Sequence, residues 1–388
     1  MHLIRFVAMD IRLILSGVVL MSMSIPTYVT PGQVFGQQLH VWFGTRGEQS
    51  EGIYVARFDV QHGTLTAPQL AARIAAPGFL AMNPQGTRLY SVCQIPDAPG
   101  GVAAFAIQPD TGALTPINTH STGAVGPCHL SVTPDSASLL VACYAGSAIG
   151  VLPLAENGAI LRLSQTVPHK GSSVHPNRQQ EAHPHWIATD PTGQFAMVPD
   201  LGTDRVMIYQ RDASRQLLNA VGAGVLPPGS GPRHLAFHPN GRWCYTSNEL
   251  LLTVTGFRWD LATAKLEAIE TVDALPLAQR KEDFTSMSEI RMHPSGRFLY
   301  AGLRGHDTIA VMAIDPSDGR LKLIENEPIR GSWPRNFAID HTGRWLLAAG
   351  AESNTVSVFA IDPDSGRLTF TRNTINVPGP ICVLFQRL

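Results

Sequence analysis

G-P-R-H-L-A-F-H-P-N-G-R-W-C-Y-T-S-N-E-L, from Gly231 to Leu250, holds two short apolar runs joined by the turn residues Pro239, Asn240 and Gly241. Such a run, turn and run reads as two strands in a tight hairpin. Its frame of proline, apolar run and proline-x-glycine recurs as PGFLAMNPQG from Pro77, PCHLSVTPD from Pro127, PHWIATDPTG from Pro184, MSEIRMHPSG from Met287, PRNFAIDHTG from Pro334 and, in part, PICVLF from Pro380. A second element closes each module: FDVQHGTL from Phe58, FAIQPDTGAL from Phe105, LPLAENGAI from Leu152, YQRDASRQL from Tyr209, FRWDLATAKL from Phe257, MAIDPSDGRL from Met312 and FAIDPDSGRL from Phe359. Both elements occur seven times.

Four short strands in a module of roughly 45 to 55 residues make a small sheet that buries its faces only against neighbouring sheets, which is the pattern of a propeller. The expectation is an all-β fold, a seven-bladed β-propeller of four-stranded antiparallel blades over residues 38–388. The last module lacks outer strands of its own, so VWFGT, Val41 to Thr45, is expected to join it and close the ring, which also removes exposed sheet edges. Two packed β-sandwiches would not account for seven copies in phase. One polar excursion, PHKGSSVHPNRQQEA from Pro168 to Ala182, interrupts a module, and long loops inside a compact repeat are often functional.

The 388 residues are 44% hydrophobic and 15% charged, with 35 Gly and 29 Pro, a turn-rich globular composition. A net charge of −1 argues against nucleic-acid binding, which needs a basic excess, so any cationic site must be local. At the N-terminus Arg5 and Arg12 precede an apolar run from Leu13 to Met23, followed by Pro26, Pro31, Gly32 and Gly36. That is the layout of an export signal. Residues 1–36 are read as a signal peptide and the mature protein as periplasmic or extracellular; a membrane anchor or a misassigned start codon are the alternatives, the latter leaving the protein cytoplasmic. The run is short for a bilayer span, and no membrane association is expected of the mature form. Cys93, Cys128, Cys143, Cys244 and Cys382 are odd in number and widely spaced, so they read as small buried hydrophobes rather than a disulfide framework.

The phase of the repeat locates a site. The residue after the first proline is in turn Gly78, Cys128, His185, Arg233, Ser288, Arg335 and Ile381; ten residues after the second proline position lie Gln94, Tyr144, Leu201, Glu249, Arg304 and Ala351. If the first strand of each module is the innermost, both rings meet at one mouth of the channel, because adjacent antiparallel strands bring the start of one beside the end of the next. His185, Arg233, Glu249 and Arg304 then cluster from three neighbouring modules, with Arg335, Tyr144, His129 and Gln94 completing the wall. Any one of these could be an ordinary inter-blade ion pair; several ionisable residues meeting at one phase of an apolar repeat suggest a pocket. His183-Pro184-His185 lacks the companions a metal site needs, so no metal and no cofactor are expected. Asp200, Asp204 and Arg205 read as turn and ion-pair residues.

With these residues in view, the chain resembles the seven-bladed lactonase family, which groups propeller-type 6-phosphogluconolactonases with carboxy-muconate cycloisomerases. The likeness rests on FGT near Phe43, GPCH at Gly126, RQQEAHPH at Arg178, PDLGTDR at Pro199, GPRH at Gly231, NEL at Asn248, LRGHD at Leu303 and WPRNF at Trp333. In the family's cycloisomerase branch the active site is attributed to a histidine, two arginines and a glutamate, and the likeness places these at His185, Arg233, Arg304 and Glu249. An Asn-Glu pair common in the family's first blade is Cys93-Gln94 here, and its Ser-Asn-Arg-Gly is Gly-Leu-Arg-Gly around Arg304.

Opening a lactone needs an activated water, a stabilised oxyanion and a proton for the leaving alkoxide. His185 or Glu249 is expected as general acid or base, with Arg233 and Arg304 binding an anionic group and the oxyanion, since the planar guanidinium suits carboxylate and phosphate. The expected ligand is a small anionic lactone or sugar acid; a closed ring requires no oligomer. Lactonisation of a carboxylated diene and ligand binding without catalysis are the alternative readings, since a fold does not fix a function.

Overall fold

The computed structural model describes residues 38–280 and 285–386; the segment read as an export signal lies outside these. The described residues form seven antiparallel sheets, six of four strands each. In the blade around the quoted stretch, Pro232–Phe237, Trp243–Asn248, Thr253–Asp260 and Lys265–Asp273 run from the axis outwards. The module starts Pro127–Val132, Ser286–Met292 and Pro334–Ile339 are likewise innermost. The only helix among the described residues is a single 3-10 turn, Leu277–Gln279.

The ring closes as expected. Pro380–Phe385 pairs antiparallel with Gln38–Thr45, Val41 facing Phe385 and Phe43 facing Val383. Leu39, Val41, Phe43 and Phe58 bury themselves against Leu347, Ala349, Val356 and Val358 of the preceding blade. Fully burying each large apolar side chain stabilises the seam by about 1.5–3 kcal/mol. Trp345 donates its indole N–H across the seam to the Val60 carbonyl at 2.8 Å. Aromatic donors reach the turn of the next blade elsewhere too, Tyr245 to the Gly319 carbonyl at 2.8 Å and Tyr300 to Gly366 at 2.7 Å. The blade at the seam departs from four simple strands: its outer strand is split into Thr64–Leu65 and Gln69–Arg73, because Pro68 between them has no N–H for the ladder.

One local irregularity positions the site. Pairing shifts register between Pro232 and His234, between Pro334 and Asn336, and opposite Pro127 and His129. Arg233, Arg335 and Cys128 are thus bulge residues, outside the ladder, and a bulge re-aims side chains. Gly231 precedes the first bulge with φ +63, where a Cβ would lie 2.6 Å from Leu250 Cγ; only glycine takes that conformation without strain. All five cysteines are free, four of them buried.

Candidate active site

His185, Arg233, Glu249 and Arg304 line one cavity of about 980 Å³ at the starting ends of the innermost strands. Their convergence from three blades is the geometry the repeat phase predicts. Glu249 is the hub, 3% exposed: Arg233 Nε and Arg304 Nη2 each lie 3.0 Å from Oε2, and Arg178 Nη2 lies 2.7 Å from Oε1. Burial works against the carboxylate's charge, but Arg304, Arg233, His185 and Arg178 outweigh it and hold its pKa far below the usual range. A carboxylate so held orients guanidinium groups and is a poor proton acceptor at neutral pH.

The arginines outnumber their counter-charge. Arg233 is 2% exposed, and its Nη1 has no hydrogen-bond partner. Burial, with Arg304 and Arg335 nearby, pulls its pKa down to about 9, and burial pulls Arg335 down to about 10. Both remain cationic at pH 7. Arg304 donates from Nη2 to the Met287 carbonyl at 2.7 Å and lies 5.6 Å from the Trp333 ring. Trp333 holds φ +64, an unusual conformation for a bulky residue, pinned by its N–H to Asp307 Oδ1 at 2.8 Å.

His185 is 6% exposed, with Nδ1 3.9 Å from Cys128 Sγ. Burial, then the charge of Arg233, drives its pKa well below 6.5, so the imidazole is neutral at pH 7. Tyr144 stands edge-on to it, ring centroids 5.5 Å apart, and stacks flat on His183 at 4.3 Å. Tyr144, Arg335 and exposed Gln94 line the same cavity. His129 does not; it packs one layer deeper, 4.2 Å from the Phe79 ring and 5.3 Å from Trp186. Among the described residues no three His, Cys, Asp or Glu side chains are grouped to hold a metal.

Arg178 and His175, which the repeat phase does not reach, enter the cavity from the Pro168–Ala182 loop. The anchor for that loop is Asp204, which accepts hydrogen bonds from Gln179 Nε2 at 2.8 Å and from the N–H groups of Gly229 and Gly231 at 2.7 Å each. Asp200 pairs with His169 Nδ1 at 2.6 Å. Asp200 and Asp204 thus occupy the expected turn, but Asp204 caps amides rather than a cation, and Arg205 is exposed. A second hollow of about 1010 Å³ on the outer edge, lined by Arg242, Trp243 and Arg258, lacks this convergence: its Arg258–Glu267 pair is 60% and 75% exposed.

The match to known proteins is continuous with this geometry. Residues 40–385 match the family described as "Lactonase, 7-bladed beta-propeller". The chain belongs to that family. It is 34% identical over 339 residues to the 6-phosphogluconolactonase of Bacillus subtilis (strain 168), covering 87% of this chain and 95% of that protein. The 6-phosphogluconolactonase of Formosa agariphila is 32% identical, covering 74% and 82%. Among solved structures, the periplasmic gluconolactonase of Pseudomonas aeruginosa superposes with a TM-score of 0.85 at 31% identity, covering 90% of this chain and 99% of that one. This lactonase-family propeller therefore carries the buried arginine–glutamate cluster within a fold shared along almost its whole length.

Two outcomes follow for stability. Glu249→Gln removes the anion that three arginines share, and breaking a buried pair in this way costs about 3 kcal/mol or more; urea denaturation of the variant at pH 7 should show it. His129, His185 and His234 all have pKa values lowered well below 6.5, burial being the first cause for each. In the unfolded chain they bind protons below about pH 6.5, so there the unfolded state holds more protons than the folded one. Stability is therefore full above about 6.5 and falls with acidification, by up to roughly 4 kcal/mol per pH unit while all three differ. Denaturant midpoints compared at pH 7.5 and 5.5 check the sign.

Proposed function

We propose that the cavity hydrolyses a small anionic sugar lactone using its own side chains. The observation that carries this is the buried Arg233, with an unpartnered Nη1, beside Arg304 and Arg335 and next to the neutral His185. The imidazole of His185 takes a proton from water as it attacks the lactone carbonyl carbon. Arg233 and Arg304, oriented by Glu249, receive the oxyanion and the anionic group of the substrate. The tetrahedral intermediate then breaks its ring C–O bond, and protonated His185 returns the proton to the leaving alkoxide, giving a hydroxy acid. Between the two candidates for the base, the arginine clamp on Glu249 favours His185. Arg335, Tyr144 and Gln94 are assigned to the substrate wall.

Residues 1–36 are proposed to direct export, leaving 38–388 as the mature propeller; the name of the Pseudomonas neighbour, a periplasmic gluconolactonase, supports that reading. A plain sugar lactone is uncharged, so on it the arginines would meet only the developing oxyanion and the carboxylate of the product acid, whereas a phosphorylated lactone carries an anion for them to bind. The test is a pH-controlled hydrolysis panel of glucono-δ-lactone, its 6-phosphate and a carboxy-muconate with purified protein. Ring opening of a sugar lactone well above the spontaneous rate is expected. Turnover of the muconate alone would assign the site to cycloisomerisation, and turnover of none would make it a binding propeller.

A further inference from the structure

The same bulge that frees Arg233 from the ladder makes the next residue, His234, face the cavity as well. His234 is 2% exposed, and its ring stands 5.2 Å from that of His185, 5.4 Å from His129 and 6.0 Å from Phe79. Nδ1 lies 3.0 Å from Glu289 Oε1. Glu289 is 1% exposed and acceptor-only as a carboxylate: its Oε1 also accepts the Ile290 N–H at 3.0 Å, and its Oε2 accepts from Asn336 Nδ2 and, at 3.3 Å, from Arg291 Nη2. The proton between ring and carboxylate therefore sits on Nδ1, which fixes the tautomer and leaves the lone pair on Nε2. Nε2 itself is buried with no hydrogen-bond partner. A proton there would bury a donor without an acceptor, a costlier state than an unfilled lone pair.

We propose that His234, its tautomer set by Glu289, is a specificity-determining acceptor that takes a hydrogen bond from a hydroxyl group of the ligand at the cavity floor. It rests on the lactone reading of the site and narrows the substrate class to polyhydroxylated lactones and their acids. The arginines recognise negative charge, which a sugar acid and a carboxylated diene both carry. A lone-pair acceptor on the floor recognises a hydroxyl, which the diene lacks. A buried acceptor of this kind disfavours analogues without the donor more strongly than it favours those with it, because the analogue seals it off unsatisfied.

The test compares gluconate with hexanoate, an acid of equal chain length without hydroxyls. Calorimetric affinities are measured for the wild type and for His234→Phe, which keeps a ring against Phe79, His129 and His185 and deletes the acceptor. The gluconate-to-hexanoate affinity ratio should fall about 30-fold in the variant; an unchanged ratio overturns the proposal. Should the variant not fold, ¹⁵N spectra of histidine-labelled wild type decide. An unprotonated Nε2 at His234 that shifts with gluconate and not with hexanoate supports the proposal, and a protonated Nε2 or no response to gluconate overturns it. Turnover of glucono-δ-lactone and its 6-phosphate, measured in parallel, separates the two readings: a lost ratio without turnover of either removes the hydrolase and keeps the acceptor, whereas turnover with an intact ratio does the reverse.

Discussion

Arg233→Ala should lower kcat/KM for the sugar lactone by about 10³-fold, because it removes both a donor to the oxyanion and a charge for the substrate's anion; one such donor alone is worth about 10²–10³. The loss is catalytic rather than structural. Glu249 also pairs with Arg178 at 2.7 Å and with Arg304 at 3.0 Å, so its carboxylate should stay paired after the change and the blade should remain folded. Arg233→Lys restores charge without the planar fork and should recover no more than about tenfold, given that lysine offers a point charge where two aligned N–H donors are required. Steady-state kinetics on folded variants provide the check, and an alanine variant within threefold of wild type would sink the assignment.

His185→Gln should reduce kcat by about 10³-fold, within the 10²–10⁴ span of general acid–base catalysis, while KM moves only a few-fold because the arginines still hold the anion. The pH dependence distinguishes a base from a packing residue. His185 is active when neutral, and burial together with Arg233 sets its pKa well below 6.5. Wild-type kcat/KM should thus hold steady as pH falls through 6.5 and drop only at lower pH. The glutamine variant should lose that acidic limb and keep a flat residual rate. A limb that survives in the variant assigns the proton to another group.

The fold was legible because the repeat states its own phase: Pro232 and Pro334 mark the same point of two blades, and both indeed start innermost strands. The same phase brought Arg233, Glu249 and Arg304 together, since equivalent positions on a ring are equivalent in space. What it did not reveal was the bulge. With strict alternation, consecutive residues face opposite sides of a strand, which would send His234 and Asn336 away from the axis once Arg233 and Arg335 point towards it; the register shift turns both members of each pair inward. No pattern of apolar residues encodes that, although glycine ahead of Pro232 is a hint. His129 shows the converse case, a polar residue at a suggestive phase that packs below Phe79 outside the cavity wall. Arg178 escaped because it sits on an inserted loop with no counterpart in other modules. Its loop was conspicuous by length, but its position depends on Asp204, more than twenty residues later in sequence.

Among the propeller's strands, the one that fastens the ring, Pro380–Phe385, is made after all the others. Its partner, Gln38–Thr45, is made before the other strands and must wait with an unpaired edge while the intervening blades are made, the kind of long-range closure that slows folding and invites association between chains. The cavity floor is tied to the same event. Val383 donates its N–H to Asn336 Oδ1 at 2.8 Å, Asn336 holds Glu289, and Glu289 holds His234. Without that strand Asn336 lacks the Val383 N–H, so docking of the strand is what completes the floor.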